Sequence, residues 1–319
     1  RRVRLAVRRR DAVRIALTGA TGFIGRALAL RLAARGDAVL AIARAGSEVS
    51  GLAAGGASIA VHRHDGSTAS LQAALAAFAP DAVVHVASLF LAQHGPEDVQ
   101  RLVESNVAFP AQLLEAMAGA GIGRLVSTGT SWQHLDDADY DPVNLYASTK
   151  QAFESVLAYY VAARGLSAAT LKLFDTYGPG DTRRKLFALL RDAARGGTPL
   201  RMSPGAQAID LVYVDDVVDA FLAALAHVAT RPPGTAETFG VGAGTRLPLR
   251  ELVDVYARVV GRPLAIEWGA LPYRPREVMR PWTRWAPPPG WRPRVGLEDG
   301  IGRMERDASI GGLLAAPAP

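Results

Sequence analysis

The sequence predicts an α/β protein built on a doubly wound parallel sheet, with a smaller C-terminal α/β lobe. Short apolar segments alternate with longer segments of helical periodicity from residue 13 to about residue 195. Strands that alternate with helices favour a parallel sheet covered on both faces. Crossovers between such strands are right-handed, which predicts a ligand crevice at the carboxyl ends of the strands. After about residue 175, Gly/Pro clusters separate shorter elements, which is typical of a loop-rich lobe.

The individual elements follow from apolar runs and their periodicity. The predicted strands span residues 13–18, 38–43, 58–61, 82–87, 124–128 and 169–174. The predicted helices span residues 23–35, 68–79, 97–119, 144–163 and 182–195. A later helix, over residues 214–228, is expected to pack on the main sheet.

Composition excludes several classes of protein. Of the 319 residues, 49% are hydrophobic and 21% are charged, and no apolar run is long enough to cross a membrane. The chain has no cysteine, which excludes disulfides and thiolate chemistry, and we predict no metal site. These observations favour a cytoplasmic protein with no membrane partner.

The net charge of +6 does not indicate nucleic-acid binding, because six arginines fall within residues 1–10. The rest of the chain is close to neutral and has no basic stripe with interleaved aromatic residues. The first ten residues also lack the long apolar segment of a signal peptide. We interpret residues 1–10 and 311–319 as flexible tails and predict no nucleic-acid partner.

A glycine-rich turn follows the first predicted strand and opens the first predicted helix. In its G-x-x-G-x-x-G pattern, the glycines permit a tight turn, approach of a pyrophosphate and close helix–sheet packing. The helix N-terminus adds N–H groups and partial positive charge suited to phosphates. An ordinary βα turn explains the glycines almost equally well, so the Rossmann interpretation depends on the residues described below. The turn residues predicted to hold the cofactor are Gly19, Thr21, Gly22, Phe23, Ile24 and Gly25.

The second strand ends at Arg44, where an NAD-selecting enzyme usually has a carboxylate for the ribose hydroxyls. A guanidinium suits a 2′-phosphate instead. NADP(H) is therefore favoured and NAD(H) is the alternative, although a solvated arginine at a strand end is also common. Asp37 precedes this strand and is expected to lie in a turn, away from the ribose.

Two further positions are candidate cofactor contacts. Asp65 and Gly66 follow the third strand, within reach of an adenine amine, but an Asp-Gly pair also forms turns. Asn106 lies inside an otherwise apolar helix, where asparagine carries a small propensity cost. That cost indicates a function for its side chain.

Tyr146 and Lys150 are four residues apart, which places them on one face of a helix. A tyrosine pKa near 10 is too high for acid–base work at neutral pH, and lowering it to about 7 needs about 4 kcal/mol. The Lys150 ammonium and an oxidised nicotinamide are expected to supply this stabilisation. Thr130, after the fifth strand, is the first candidate to hold a substrate oxygen, and Thr128 is the second. From spacing alone, the pair would be interpreted as a helix surface feature; beside the glycine turn, it indicates hydride transfer.

These residues resemble the extended short-chain dehydrogenase/reductase family of the NAD-dependent epimerase/dehydratase type, over nearly the whole chain. Beside the glycine turn, the similar segments are V-V-H-V-A-S (83–88), S-N-V (105–107), L-F-D-T-Y-G-P-G-D (173–181) and D-L-V-Y-V-D-D-V (210–217). The resemblance implies a Thr130–Tyr146–Lys150 triad, cofactor contacts from Ala87 and Thr128, a nucleotide-sugar substrate and a homodimer through two helices of each subunit. It also implies a dinucleotide-binding domain over residues 11–175 and a mainly substrate-binding lobe over residues 176–310.

The resemblance also places residues around the substrate. Asp175 takes a sugar-contacting asparagine position, and Arg274 falls where a diphosphate-binding arginine is expected. Ile209 stands where many members have a phosphate-binding arginine, for which Arg183 and its neighbours are candidate replacements. The predicted substrate contacts are Ser88, Trp132, His134, Asp175, Arg184, Lys185 and Arg274.

Departures from the family narrow the chemistry. The segment 130–134 lacks the Asp-Glu pair of 4,6-dehydratases, and the absence of cysteine disfavours 3,5-epimerisation. Segments 130–134 and 272–279 resemble the NDP-4-keto-6-deoxyhexose 4-ketoreductase subgroup, so the resemblance implies an NADPH-dependent reductase. A C4 epimerase that retains NAD, a cofactor-binding regulator without catalysis, and a reductase of a non-sugar carbonyl are the alternatives.

Overall fold

The computed structural model describes residues 12–196 and 198–314, with side chains through residue 308. In chain order its strands are β1 (Arg14–Thr18), β2 (Ala38–Arg44), β3 (Ile59–His64), β4 (Ala82–His85), β5 (Arg124–Thr130), β6 (Ser167–Leu173), β7 (Asp175–Tyr177), β8 (Leu200–Met202), β9 (Ala208–Ile209), β10 (Leu211–Tyr213), β11 (Ala236–Val241), β12 (Leu247–Pro248) and β13 (Ile266–Trp268). The helices are α1 (Phe23–Ala34), α2 (Thr68–Phe78), α3 (Val99–Val103), α4 (Phe109–Gly119), α5 (Leu145–Arg164), α6 (Leu186–Ala194), α7 (Val214–Val228), α8 (Leu249–Val260) and α9 (Leu297–Leu314).

Seven strands form one parallel sheet in the order β11-β6-β5-β4-β1-β2-β3. The strand order reverses between β1 and β4, and the loops that follow these two strands leave the sheet in opposite directions. A crevice therefore opens at their carboxyl ends. The predicted doubly wound α/β fold is confirmed.

Helices cover both faces of the sheet with apolar side chains. On one face, Leu28 of α1 and Phe221 of α7 pack against the strands without exposure to solvent. On the other, Leu75 of α2, Leu113 of α4 and Phe153 of α5 form a second core. The packing of α7 on the main sheet agrees with the expectation for residues 214–228.

β11 is the seventh strand of the main sheet, next to β6, and the sequence analysis did not predict it. The chain leaves the sheet after β6, builds small strand pairs, and returns through α7 and β11. Between β6 and α7 lie four short strands and one helix, which interrupt the regular alternation that predicts the earlier strands. Residues 214–241 therefore belong structurally with the sheet, although they follow the predicted domain boundary at 175.

The small lobe has its own apolar core beside the carboxyl edge of the sheet. Three two-stranded pairs, β10–β7, β12–β9 and β13–β8, surround α6 and α8. Buried aromatic rings of Phe187, Tyr213 and Tyr256 lie in this core. The lobe thus stands where it can form one wall of the crevice.

The structure describes part of the predicted C-terminal tail and none of the predicted N-terminal tail. Residues 1–10 lie outside the described residues, as do 315–319. The backbone over residues 311–314 is helical because α9 continues to Leu314, which differs from the predicted start of the C-terminal tail. Among the described residues, no helix is both long and apolar enough to span a membrane.

The start of α1 depends on close contact between two glycines. A Cβ on Gly25 would lie 2.6 Å from the carbonyl carbon of Gly19, and closer still to its oxygen. A Cβ on Gly22 would meet only that oxygen, at 3.4 Å. The third glycine of the pattern thus allows the helix to pack on the turn that precedes it.

We expect Gly25→Ala to lower the free energy of unfolding by about 1–3 kcal/mol, because backbone atoms must move apart to admit the methyl group. Gly22→Ala is the matched control and should change it by less than about 0.5 kcal/mol. Urea denaturation followed by circular dichroism measures both. Equal stability of the two variants would contradict this account of the turn.

Candidate active site

A cleft of about 870 Å³ opens at the carboxyl ends of the strands. Its predicted lining residues are Gly19, Thr21, Gly22, Phe23, Ile24, Gly25, Arg44, Gly66, Ala87, Ser88, Thr128, Thr130, Trp132, Tyr146, Asp175 and Lys185. Six predicted site residues lie outside this lining, namely Asp65, Asn106, His134, Lys150, Arg184 and Arg274. The cleft is continuous from the glycine turn to the small lobe.

The glycine turn fits a dinucleotide. Gly19 has a φ of 75°, and a Cβ there would lie 2.6 Å from the backbone nitrogen of Ala87, so two backbones meet without side chains between them. Gly22 caps α1 with no side chain, which leaves the first N–H groups of the helix available to a phosphate. The residues present therefore match the cradle that a pyrophosphate needs.

Arg44 lies at the end of β2, exposed and lining the cleft. No carboxylate in the described chain pairs with its guanidinium. Asp37 is buried in the turn before β2, where it pairs with Arg35 at 3.4 Å, as expected from the sequence. The following loop is held by Arg63, which donates to the carbonyl oxygens of Ala45 and Ser47 at 2.7 and 3.0 Å. This end of the cleft is thus positively charged and structurally fixed.

Asp65 forms a turn rather than facing the cleft. Its carboxylate accepts hydrogen bonds from the backbone N–H and the hydroxyl of Ser67, both at 2.8 Å, immediately before α2. Those two bonds lower the pKa of Asp65. Gly66 does line the cleft. The Asp-Gly pair therefore forms the expected turn, and a contact between Asp65 and an adenine amine stays a prediction.

Asn106, a predicted cofactor contact, makes its hydrogen bonds within the protein. It is buried within a π-helical turn, Glu104–Ala108, that joins α3 and α4. Its amide donates to the Leu89 carbonyl and the Thr149 hydroxyl, and its oxygen accepts from the Ser88 hydroxyl and the Leu89 N–H. These four bonds use the full capacity of the side chain. Asn106 therefore positions the cleft wall after β4 against α5.

Lys150 lies beneath the cleft floor, 2% exposed, and its Nζ donates to the Thr128 hydroxyl at 3.1 Å. Burial lowers the pKa of this ammonium to about 8, against the opposing charge of Glu154. Thr128 in turn donates to the His85 carbonyl at 3.4 Å. The end of β5 thus holds a lysine that is close to titrating at neutral pH.

Tyr146 lines the cleft with its phenol near two hydroxyls. Burial raises the pKa of Tyr146 to about 12, while hydrogen bonds with Ser88 and Thr130 lower it and the charge of Asp175 raises it. The expectation of a pKa near 7 is not met in the protein alone, because desolvation of the phenolate outweighs the two hydrogen bonds. The phenol is consequently protonated at neutral pH and able to donate.

The substrate end of the cleft is aromatic and charged. Phe90 meets the ring of Tyr146 edge-on at 5.0 Å and lies 5.5 Å from the ring of Trp132. The Lys185 ammonium lies over Phe90 at 4.6 Å and 3.5 Å from the Asp175 carboxylate. An apolar wall with one paired cation therefore stands next to the phenol.

Three predicted substrate residues occupy other environments. His134 stacks on Trp282 at 4.0 Å and is buried, so it is a packed residue, and burial lowers its pKa. Arg184 is largely exposed and is 3.7 Å from Asp192. Arg274 pairs with Glu277 and lies 5.5 Å from the Trp132 ring.

Two residues that line the cleft, Arg183 and Phe90, are not among the predicted substrate contacts. Arg183, rather than Arg184, lines the cleft, where its guanidinium is held by Asp181 and by the Thr176 carbonyl. Phe90 was not predicted at all. The motif ends at residue 88, and no spacing rule distinguishes an aromatic residue two positions later.

Comparison with known proteins identifies the family of this chain. A profile of the NAD dependent epimerase/dehydratase family matches residues 15–242. The dTDP-6-deoxy-L-talose 4-dehydrogenase (NAD(P)(+)) of Kitasatospora kifunensis is 30% identical over 314 residues, 90% of this chain and 93% of that protein. The UDP-glucose 4-epimerase of Mycolicibacterium smegmatis is 29% identical over 310 residues, 91% of this chain and 97% of that protein.

A solved structure agrees on the fold. The UDP-glucose-4-epimerase of Stenotrophomonas maltophila, solved with NAD and formylated UDP-arabinopyranose, superimposes with a TM-score of 0.84. The two chains are 21% identical, and the superposition covers 95% of this chain and all of the Stenotrophomonas chain. The fold, the cleft and the profile together define a nicotinamide-dependent enzyme class. This chain belongs to the NAD dependent epimerase/dehydratase family.

We expect Asn106→Ala to lower the free energy of unfolding by at least about 2 kcal/mol, since it leaves buried polar groups of the wall and of α5 unpaired. Ser105→Ala, one residue earlier in the same π-helical turn, is the control and should change little. Thermal and urea unfolding measure the difference. If both variants retained wild-type stability, Asn106 would have no positioning role.

Proposed function

We propose that this protein is an NADPH-dependent reductase of a keto nucleotide sugar, acting on an NDP-4-keto-6-deoxyhexose. The observation that carries the proposal is the position of Tyr146. Its protonated phenol lies in the cleft beside the Thr130 and Ser88 hydroxyls, in the same cleft as the glycine turn. A carbonyl oxygen held by the Thr130 hydroxyl would face both a proton donor and the cofactor side of the cleft.

In the proposed reaction the glycine turn, Gly19–Gly25, would hold a nicotinamide cofactor, which would supply hydride for the C4 carbonyl carbon. The Thr130 hydroxyl donates to the carbonyl oxygen, and the Tyr146 phenol donates its proton to that oxygen as the C4 alcohol forms. Lys150, fixed by Thr128, provides the nearby positive charge that offsets the resulting phenolate.

The proposed cofactor preference is for NADP(H). Arg44 presents an unpaired guanidinium at the end of β2, where no carboxylate of the described chain competes for it. Guanidinium groups bind phosphate in bidentate geometry. The name of the Kitasatospora relative, which includes NAD(P)(+), is consistent with this preference. NAD(H) is the alternative cofactor.

The proposed substrate is a nucleotide-diphosphate sugar that lacks a C6 hydroxyl. The relatives named above act on dTDP- and UDP-linked sugars, as their names state. The aromatic wall of Phe90 and Trp132 favours an apolar methyl group next to the reacting carbon. Lys185 and Arg183 would supply the cations for the diphosphate, because Ile209 stands where many family members have a phosphate-binding arginine. A homodimer and a cytoplasmic location remain predictions from the sequence.

A second candidate is a C4 epimerase that retains NAD, favoured by the 29% identity to the Mycolicibacterium epimerase. The same residues would oxidise and then reduce C4 without net consumption of cofactor. A regulator without catalysis would not require the Tyr146–Lys150 pair, and we set it aside.

Transfer of a deuterium label distinguishes the reductase from the epimerase. With 4-deuterated NADPH and dTDP-4-keto-6-deoxyglucose, the reductase should consume one NADPH for each product and place deuterium at C4, as read by mass spectrometry. Interconversion of UDP-glucose and UDP-galactose without loss of NADPH absorbance would contradict the reductase and support the epimerase.

We expect Tyr146→Phe to lower kcat by about 10²–10⁴-fold, because it removes the proton donor and keeps the ring. NADPH binding, followed by fluorescence titration, should persist. Phe90→Leu is the control, since it alters the same wall without touching the proton. Turnover of Tyr146→Phe at the wild-type rate would exclude the phenol as the acid.

For Arg44→Ala we expect NADPH binding to weaken by about tenfold or more and NADH binding to stay the same, since only NADPH has a 2′-phosphate. Arg63→Ala is the informative neighbour, because it disturbs the loop and should affect both cofactors. Calorimetric titration with each cofactor measures the difference. Equal losses of NADPH and NADH affinity in Arg44→Ala would show that Arg44 does not contact the 2′-phosphate.

A further inference from the structure

A buried polar network lies directly behind Thr130 and Lys150, and the proposed reaction does not use it. It consists of Glu154 on α5, Lys172 on β6 and Gln133 in the turn after β5. Lys172 is 2% exposed and Glu154 18%, and Gln133 is fully buried. Groups of this kind lose their hydration on folding, so each must be satisfied within the protein.

The centre of the network is an ion pair. The Lys172 Nζ lies 2.8 and 2.9 Å from the two carboxylate oxygens of Glu154. Burial lowers the pKa of Lys172 and the carboxylate opposes that change. A buried ion pair is weak evidence for stability, because its desolvation offsets its Coulomb energy. Its position next to the reacting groups suggests a second purpose.

One branch leads from Glu154 to Thr130. The Gln133 amide donates to Glu154 at 3.0 Å, and the Gln133 oxygen accepts the backbone N–H of Thr130 at 3.0 Å. Gln151 accepts the other amide hydrogen, at 2.7 Å. With both ends of its amide bonded, Gln133 fixes the backbone that carries the Thr130 hydroxyl into the cleft.

The other branch is electrostatic and leads to Lys150. Glu154 follows Lys150 by one helical turn, and its charge raises the pKa of that ammonium, whereas burial and the Lys172 charge lower it. Of the other groups around Lys150, Thr128 is neutral and Tyr146 is protonated. The remaining one, His85, is neutral, because burial lowers its pKa to about 3. Glu154 is thus the counter-charge for two ammonium groups, and His134 is the other titratable group that its charge affects.

We propose that Glu154, with Lys172 as its counter-ion, is a positioning residue of the active site that holds Thr130 through Gln133 and keeps the Lys150 ammonium charged. The inference rests on the proposed roles of Thr130, Tyr146 and Lys150. Without the carboxylate, two buried cations would face each other across α5 and β6, and Lys150 would release its proton at lower pH.

The chain allows a direct test because it has only three lysines, Lys150, Lys172 and Lys185. Protein labelled with ¹³C at the lysine Cε gives three signals, which Lys172→Met and Lys185→Arg assign. We expect Lys150 to titrate with a pKa of about 8 in the wild type. In Glu154→Gln the Lys150 pKa should fall by about one unit, since an opposing charge is lost.

Two further variants test the direction in which each charge shifts the Lys150 pKa. Lys172→Met removes the repelling cation and should raise the Lys150 pKa, while the double variant Glu154→Gln/Lys172→Met removes both charges and should return it towards the wild-type value. Glu251→Gln, on the exposed face of α8, is the control for loss of a carboxylate and should change nothing. If circular dichroism shows that Glu154→Gln does not fold, the change of the Lys150 pKa in Lys172→Met still tests whether these charges act on Lys150.

An unchanged Lys150 pKa in a folded Glu154→Gln, or no rise in Lys172→Met, would overturn the electrostatic branch. For the other branch, Gln133→Leu should lower kcat at least tenfold, with the KM for NADPH and the Lys150 pKa unchanged. Wild-type kcat in that variant would overturn it. The lysine titration needs no substrate, so it judges this inference even if the keto sugar is not reduced.

Discussion

The ammonium of Lys150, buried beneath the cleft, is the constraint on which the active site depends. A charge removed from water must be compensated by nearby acceptors and counter-charges. Thr128 provides the acceptor at 3.1 Å, and Glu154 on the next helical turn provides the opposing charge. Because these groups come from β5 and α5, the ammonium fixes that helix against the sheet. The position of Tyr146, on the same helix, follows from this packing.

The cleft wall opposite α5 is determined by backbone contacts instead. Gly19 and Gly25 allow the first turn, the loop after β4 and α1 to approach each other without side chains between them. Asn106 holds the same loop from the other side with four hydrogen bonds. The half of the cleft near the glycine turn is therefore built largely from main chain, and the half near the small lobe from aromatic and charged side chains.

Much of this arrangement could be predicted from the sequence, because periodicity and the glycine turn report local structure. The six strands before residue 175 and the packing of α7 were predicted, as were the cleft positions of Tyr146 and Thr130. β11 was missed since its pairing with β6 spans a long excursion of the chain. The helix pattern marks Asn106 as a functional position, but the hydrogen-bond partners of Asn106 and Glu154 are distant in sequence, so no local pattern identifies them. The raised pKa of Tyr146 depends on burial, which spacing does not measure.

We propose that this chain uses NADPH as a free substrate to reduce a sugar carbonyl. The measurement to make is the identity of the cofactor on the purified protein, by denaturation and analysis of what is released, followed by titration with NADPH and NADH. We expect a protein that releases little nucleotide and binds NADPH more tightly than NADH. Stoichiometric release of tightly held NAD would show that the proposal is wrong and identify an epimerase-type cycle.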